Sequence, residues 1–139
     1  MNSRGFFQGL LVSVLTVSYA VAGQCDERSS FMDFLSRFSR DQQFRNERIV
    51  FPLRVVVGSP SEGQIKQRWS ENDIGSKFNP PIPSQQLREQ GVTQYVSWQS
   101  STEVEVKQSI PESDSYIVIY RFKLRSGCWF MVRYEDSSY

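Results

Sequence analysis

Apolar side chains recur at helical spacing in the first part of the chain. The positions are Phe31, Phe34, Leu35 and Phe38, with polar or charged residues between them. An i, i+3, i+4, i+7 pattern of this kind predicts an amphipathic helix with one buried face. We expect Ser29 or Ser30 to cap its N-terminus through a side-chain oxygen. A second short helix is predicted from a cap at Asp41 through Phe44 to Glu47.

Beyond these helices the pattern changes to the β-branched runs and alternation that are typical of strands. Residues 49–57 are predicted to form a strand, and Pro52 places it at a sheet edge or at a strand start, since proline cannot donate a ladder hydrogen bond. A turn at 58–63 separates it from an alternating segment that ends at Trp69. This arrangement predicts a β-hairpin.

Four more strands are predicted near the C-terminus, and the short turns between them favour antiparallel pairing. The segment 70–83 is predicted to be irregular and loosely held, because it ends in the proline-rich run 79–83. The order of elements predicts an α+β fold, with N-terminal helices packed on a mostly antiparallel sheet. The four strands cover residues 92–99, 103–108, 116–124 and 128–134.

The N-terminal segment has the composition of a secretory signal peptide. A positive charge near the start precedes an apolar run over residues 10–17, and Ala20 and Ala22 supply the small residues that a signal peptidase reads. We therefore predict that residues 1–22 are removed and that 23–139 form a single domain, periplasmic or secreted. An uncleaved membrane anchor is the weaker alternative, because polar residues interrupt the apolar run.

Two cysteines, Cys25 and Cys128, lie near the two ends of the predicted domain. An oxidising compartment favours joining them in a disulfide. Such a bridge would close a loop of about 100 residues, for which the chain-entropy account gives roughly 4 to 5 kcal/mol of stabilisation. The alternative is two unpaired thiols, with Cys128 a small buried residue in a strand.

The segment 34–41 (FLSRFSRD), Phe44 and the segment 48–53 (RIVFPL) resemble the opening of an exported bacterial family, the domain of unknown function 4348. That family is similar in architecture to the nuclear transport factor 2-like (NTF2-like) or cystatin-like cone. The resemblance implies N-terminal helices packed on a curved, mostly antiparallel sheet. It implies no catalytic residues, because the role of the family is itself unknown.

Composition limits the chemistry and the partners. The chain has no histidine, which excludes Ser-His-Asp and Cys-His arrangements and the commonest zinc sites, so we expect no enzymatic activity, no cofactor and no metal. Sixteen basic and fifteen acidic residues leave the chain nearly neutral, so nucleic acid and, after signal cleavage, membrane are not expected as partners. Glu103 and Glu105 share a strand face but alternate with valines, which favours a solvated face over a catalytic pair.

Aromatic residues are frequent on the predicted strands. A concave sheet that presents such rings could hold an apolar or sugar-like ligand, although a small domain also needs its aromatics for the core. The candidate ligand-binding residues are Trp69, Tyr95, Trp98 and Tyr120.

Three functions agree with these features. The first is a non-enzymatic periplasmic binding protein that holds a protein partner or small ligand through its sheet or through 70–83, for example an immunity protein against a delivered toxin. The second is a small-ligand-binding protein or a histidine-free enzyme of the NTF2-like type. The third is a homodimeric envelope subunit that pairs through the exposed face of its sheet.

Overall fold

The computed structural model describes residues 25–28 and 30–139, so the predicted signal segment lies outside the described residues. Within these ranges, no helix is long and apolar enough to cross a membrane. The elements in chain order are α1 (Phe31–Arg40), α2 (Gln42–Glu47), β1 (Ile49–Ser59), β2 (Gly63–Trp69), α3 (Glu71–Lys77), α4 (Ser84–Leu87), β3 (Thr93–Ser100), β4 (Glu103–Ser109), β5 (Ile117–Arg125) and β6 (Cys128–Asp136).

The six strands form one curved sheet in the order β2-β1-β6-β5-β4-β3. Neighbouring strands are antiparallel except for β1 and β6, the first and last strands, which lie side by side and run parallel. The predicted α+β fold with a mostly antiparallel sheet is confirmed. The two edge strands are β2 and β3.

One face of the sheet, here called the inner face, is covered by the helices and forms the core. All four predicted apolar positions of α1 are buried. The Phe38 ring meets Phe122 of β5 edge-on, with ring centroids 5.3 Å apart. Val104 and Val106 of β4 are fully buried on the same face. Burial of each such side chain contributes about 1.5–3 kcal/mol to folding.

The helix caps follow the prediction only in part. Asp41 caps α2 as expected, since its Oδ1 accepts a 2.9 Å hydrogen bond from the backbone N–H of Phe44. This bond, with a smaller contribution from Arg37, lowers the pKa of Asp41. Ser30 is the N-cap residue of α1 but its side chain makes no capping bond, and Ser29 lies outside the described residues.

Of the two positions predicted for Pro52, a sheet edge or the start of a strand, the sheet edge is wrong. β1 is an interior strand between β2 and β6. Pro52 is tolerated there because pairing with β6 is interrupted between Ile49 and Arg54, while pairing with β2 begins only at Leu53. The missing N–H therefore interrupts no paired position of the ladder.

The irregular structure predicted for 70–83 is also wrong in its first half, which forms α3. The backbone N–H of Ser70 donates to Asp73 Oδ2 at 2.9 Å, and Lys77 Nζ lies 2.7 Å from Asp73 Oδ1. The hydrogen bonds from Lys77 and Ser70 lower the pKa of Asp73 to about 2. The Ser-x-x-Asp spacing is the sequence signal for this helix start.

The predicted disulfide is confirmed and anchors the segment before α1 to the first residue of β6. Cys25 and Cys128 are bonded with their Cα atoms 5.0 Å apart. Close by, Glu27 accepts hydrogen bonds at Oε2 from the Trp129 backbone N–H (2.8 Å) and from Arg48 (3.1 Å). The segment before α1 is therefore fixed to the turn between β5 and β6.

Candidate functional site

The structure does not bring together the four aromatics predicted to bind a ligand. Trp69 packs in the core against Tyr134, with ring centroids 5.5 Å apart, and Tyr120 is fully buried. Trp98 is 53% exposed on the inner-face side of β3. Tyr95 is 61% exposed and lies on the opposite, outer face. These residues belong to two core positions and one exposed sheet edge.

The space over the inner face at the Tyr120 and Tyr134 end is filled by residues 78–82, here called the plug. The ring of Phe78 lies 4.9 Å from that of Tyr134 and 6.1 Å from that of Tyr120. The Tyr120 hydroxyl donates a 2.7 Å hydrogen bond to the carbonyl oxygen of Asn79. The chain thus occupies the part of the cone in which an aromatic ligand pocket was expected.

Gln108 holds the other end of the plug. It is fully buried, and its amide forms two hydrogen bonds with the backbone of Ile82, donating to the carbonyl at 2.9 Å and accepting from the N–H at 2.8 Å. A further bond from Gln108 Nε2 to Gln94 Oε1, at 2.8 Å, fixes the orientation of the amide. The predicted loose packing of this segment is therefore wrong.

The buried tyrosines beneath the plug stay protonated at neutral pH. Desolvation raises the pKa of Tyr120 well above its ordinary value, and burial together with Asp136 raises the pKa of Tyr134. Both hydroxyls act as donors, Tyr120 to the plug and Tyr134 to Asp136 Oδ2 at 3.0 Å. Tyr120 thus holds the plug directly, and Tyr134 bonds to Asp136, whose Oδ2 also accepts a 3.1 Å hydrogen bond from Asn79 Nδ2 of the plug.

The outer face of the sheet carries a row of arginines, here called the arginine row. Arg68 on β2 pairs in register with Arg54 on β1, which pairs with Arg133 on β6, which pairs with Arg121 on β5. Four positive side chains therefore lie side by side across four neighbouring strands. Glu105 of β4 stands at one end of the row.

The two halves of the arginine row differ in their partners. Arg121 is ion-paired with Glu105 at 2.6 Å, which raises the pKa of Arg121, and Arg133 is paired with Glu135 at 2.6 Å. Arg54 and Arg68 are exposed, and no carboxylate of the described part of the chain lies within ion-pairing distance of either. This half of the row has unused capacity for an anion.

A shallow groove of about 390 Å³ opens over the unpaired half of the row. A guanidinium fork matches the two oxygens of a carboxylate, and neighbouring forks can hold several such groups. The arrangement can therefore bind carboxylates or other oxyanions. The groove is lined by Arg54, Val55, Val56, Lys66, Gln67, Arg68 and Arg133.

The net charge of the chain is close to zero and gives no indication of this basic surface. Basic side chains on the outer face outnumber its three carboxylates, which are Glu103, Glu105 and Glu135. Glu103 and Glu105 are each ion-paired, with Lys123 at 3.5 Å and with Arg121 at 2.6 Å respectively. The signal was present in the alternation of each strand, where Lys66 and Arg68 fall on one face. Summing charge by strand face rather than by chain would have found it.

A second cavity, of about 700 Å³, lies between α2, β1 and α3. Its rim is formed by amide and carboxylate side chains, and its floor by two apolar residues. In the described ranges, no group of three or more His, Cys, Asp or Glu side chains could hold a metal ion there or elsewhere. The cavity residues are Gln42, Gln43, Asn46, Glu47, Phe51, Glu71 and Ile74.

Helices packed on the inner face of a curved mixed sheet define an α+β cone, and solved structures show it to be the NTF2-like or cystatin-like fold. An NTF2-like protein from Bacteroides fragilis has a TM-score of 0.57 and 16% identity, over 78% of this chain and 47% of that one. This chain thus spans about half the length of that protein. An NTF2-like protein of unknown function from Shewanella baltica has a TM-score of 0.48 and 9% identity, over 79% and 91% of the two chains.

No family model matches the sequence, and no curated protein matches it significantly. The solved structures are all distant in sequence, so they establish the fold alone. Membership of the domain of unknown function 4348 stays a prediction.

Proposed function

We propose that the protein is an exported, non-enzymatic binding protein whose recognition surface is the outer face of its sheet and whose partner is an acidic protein segment. The observation that carries this proposal is the arginine row, in which Arg54 and Arg68 are exposed and no carboxylate of the described residues lies within ion-pairing distance of either. Membership of the exported family of unknown function 4348 is part of the same proposal.

The energetics of the arginine row support a binding role. Like charges directly opposite on neighbouring strands destabilise a sheet, by about 0.2–1 kcal/mol for each pair. An acidic partner would relieve this repulsion, and each fork could accept a carboxylate in a bidentate manner. Complementary charge of this kind mainly gives specificity and rapid association.

The outer face favours an acidic protein over a nucleic acid. Glu103, Glu105 and Glu135 lie among its basic side chains. A phosphate backbone is uniformly negative and would be repelled by these carboxylates, whereas a protein surface can present mixed charge. The predicted signal peptide would export the domain to a compartment where it meets other proteins. The disulfide is compatible with export.

Two features support a non-enzymatic role. The plug occupies the inner face over Tyr120, and the two buried tyrosines are fixed as hydrogen-bond donors. Within this proposal, an immunity protein would act by covering an acidic surface of a toxin. Binding alone would suffice for that task, so no catalytic group is required.

Capture from the envelope and secreted fractions of the source organism tests this proposal. The disulfide-bonded protein is expected to retain one acidic protein, identified by mass spectrometry, which the double variant Arg54→Glu/Arg68→Glu no longer retains. Arg88→Glu is the matched control, because Arg88 is an exposed arginine outside the sheet and should leave capture unchanged. Retention of the same protein by the double variant, or capture of nucleic acid instead, would contradict the proposal.

The cavity between α2 and α3 favours a second candidate, a small-ligand-binding protein. A volume of about 700 Å³ with polar rim groups and an apolar floor suits a small polar ligand. Native mass spectrometry of the purified protein would show a retained small molecule under this alternative. Its loss in Phe51→Ala, with the arginine row intact, would assign it to this cavity.

A further inference from the structure

The cavity of about 700 Å³ between α2 and α3 is one lobe of a longer cleft. A second lobe, of about 310 Å³, adjoins it on the side of the plug. The two lobes share the lining residues Gln42, Asn46, Glu71 and Ile74, which therefore form the boundary between them. None of these residues lines the groove over the arginine row. The cleft is thus separate from the recognition surface on the outer face.

The first lobe, here called the acidic lobe, has carboxylates at its rim and no basic side chain among its described lining residues. Glu47 and Glu71 are both exposed, and no basic group of the described part of the chain lies within ion-pairing distance of either. Phe51 and Ile74 form the apolar floor. The acidic lobe therefore suits an ammonium group that is attached to an apolar side chain.

The second lobe, here called the basic lobe, is lined by Arg45. Nη1 of Arg45 donates hydrogen bonds to the carbonyl oxygens of Phe38 (2.8 Å) and Ser39 (3.2 Å), which fix the guanidinium against the last turn of α1. Its other N–H groups donate to no described residue, and no described carboxylate lies within ion-pairing distance. Partial burial lowers the pKa of Arg45. A ligand carboxylate would supply the bonds that this guanidinium lacks.

Amide side chains lie between the two charged regions. Gln42 and Asn46 are exposed residues one turn apart on α2, and both line both lobes. Neither side-chain amide takes part in a hydrogen bond within residues 25–28 and 30–139. Each amide offers one acceptor oxygen and an NH₂ donor, which complement the N–H and the C=O of a peptide group.

We propose that the cleft binds a free di- or tripeptide, with its amino terminus facing Glu47 and Glu71 and its carboxyl terminus held by Arg45. The first side chain of this peptide is apolar and packs on Phe51 and Ile74. A neutral sugar could use the amides but would leave the opposite charges of the two lobes unmatched. The inference rests on the second candidate function, a small-ligand-binding protein, and does not depend on the arginine row.

Titration calorimetry of the disulfide-bonded protein with the dipeptide Phe-Gly tests the proposal. Two blocked forms each remove one charge: N-acetyl-Phe-Gly lacks the ammonium group, and Phe-Gly amide lacks the carboxylate. We expect Phe-Gly to bind and each blocked form to bind at least about tenfold more weakly, because each loses a charge-assisted hydrogen bond. Absence of Phe-Gly binding at millimolar concentration, or equal affinity for all three ligands, would overturn the proposal.

Variants of the cleft assign each end of the peptide. Glu47→Gln/Glu71→Gln should bind Phe-Gly at least about tenfold more weakly, yet bind N-acetyl-Phe-Gly as the unaltered protein does. Arg45→Gln should lose affinity for Phe-Gly but not for Phe-Gly amide, and thermal unfolding shows whether it is folded. Glu89→Gln is the matched control, because Glu89 is exposed and lies outside the cleft. An equal loss in this control, or no loss in the glutamate variant, would overturn the assignment.

The double variant Arg54→Gln/Arg68→Gln separates this site from the arginine row. It should bind Phe-Gly as the unaltered protein does, since neither arginine lines the cleft. Loss of Phe-Gly binding in this variant would place the peptide on the outer face and overturn the inference. Phe-Gly binding without capture of an acidic protein would support the peptide site and contradict the first proposed function.

Discussion

Gly127 shows how one residue position depends on contacts that sequence patterns do not report. It lies in the turn between β5 and β6 with φ of +78°, and a Cβ there would collide with the carbonyl oxygen of Cys25. The sequence predicts a turn between the strands 116–124 and 128–134, but it does not predict that Gly127 contacts the segment that carries Cys25. Gly63 has a similar φ of +73° and open space around it.

Replacing these two glycines separates backbone strain from collision. Gly63→Ala should lower the free energy of unfolding by about 1–2 kcal/mol, the cost of a left-handed alanine. Gly127→Ala should lower it clearly further, because the Cys25 backbone must also move. Urea denaturation of both variants measures the difference. Equal losses of unfolding free energy would show that the segment before α1 moves aside at no cost.

At the scale of elements, the plug is the part of the fold that local sequence patterns do not predict. Strands β3 to β6 and helices α1 and α2 were predictable, because local alternation and helical spacing decide which of their faces is buried. The plug was not, because its contacts join residues far apart in sequence. Asn79 meets Tyr120 across 41 positions, and Ile82 meets Gln108 across 26. A proline-rich segment gives no local sign of such anchoring.

Removing the Tyr120 hydroxyl should loosen the plug. Tyr120→Phe deletes the donor to the Asn79 carbonyl and should cost about 1 kcal/mol of unfolding free energy. Amide exchange in 78–82 should become faster than in the unaltered protein. Tyr95→Phe is the matched control, since Tyr95 is exposed and should change neither quantity. If exchange in the plug is unaffected by Tyr120→Phe, the plug is held without this bond.

The distribution of charge is a property of the whole molecule that composition does not determine. The residues of the arginine row come from four strands, and only the strand order β2-β1-β6-β5 brings them together. Net charge alone therefore does not show whether one face of the sheet is basic. The absence of a nucleic-acid or membrane partner stays a prediction. The charge on each face of the sheet is more relevant to that prediction than the net charge of the chain.

Stability of the whole molecule should decline at alkaline pH. Burial raises the pKa of Tyr116, Tyr120 and Tyr134, so above pH 10 the unfolded chain releases protons that the folded chain keeps. The free energy of unfolding then falls as pH rises, by up to about 1.4 kcal/mol per pH unit for each tyrosine. Below that range these groups are protonated in both states and give no slope.

Urea denaturation on either side of pH 10 measures this decline. Lysines titrate in the same range, so the informative quantity is the difference in slope between the unaltered protein and Tyr120→Phe. The variant should show the shallower slope. Identical slopes would mean that Tyr120 is not desolvated in the folded state.

The account depends most on the arginine row as a binding surface, and one titration tests it directly. A fluorescent glutamate-rich peptide is titrated with the unaltered protein, with Arg54→Gln/Arg68→Gln and with Arg88→Gln, at low and at physiological salt. We predict that the peptide binds the unaltered protein and that binding weakens as the salt concentration rises. The affinity should fall at least tenfold in the double variant and stay unchanged in Arg88→Gln. The double variant should unfold at an equal or higher urea concentration, because a like-charge pair has been removed. Equal affinity in all three proteins would contradict the account.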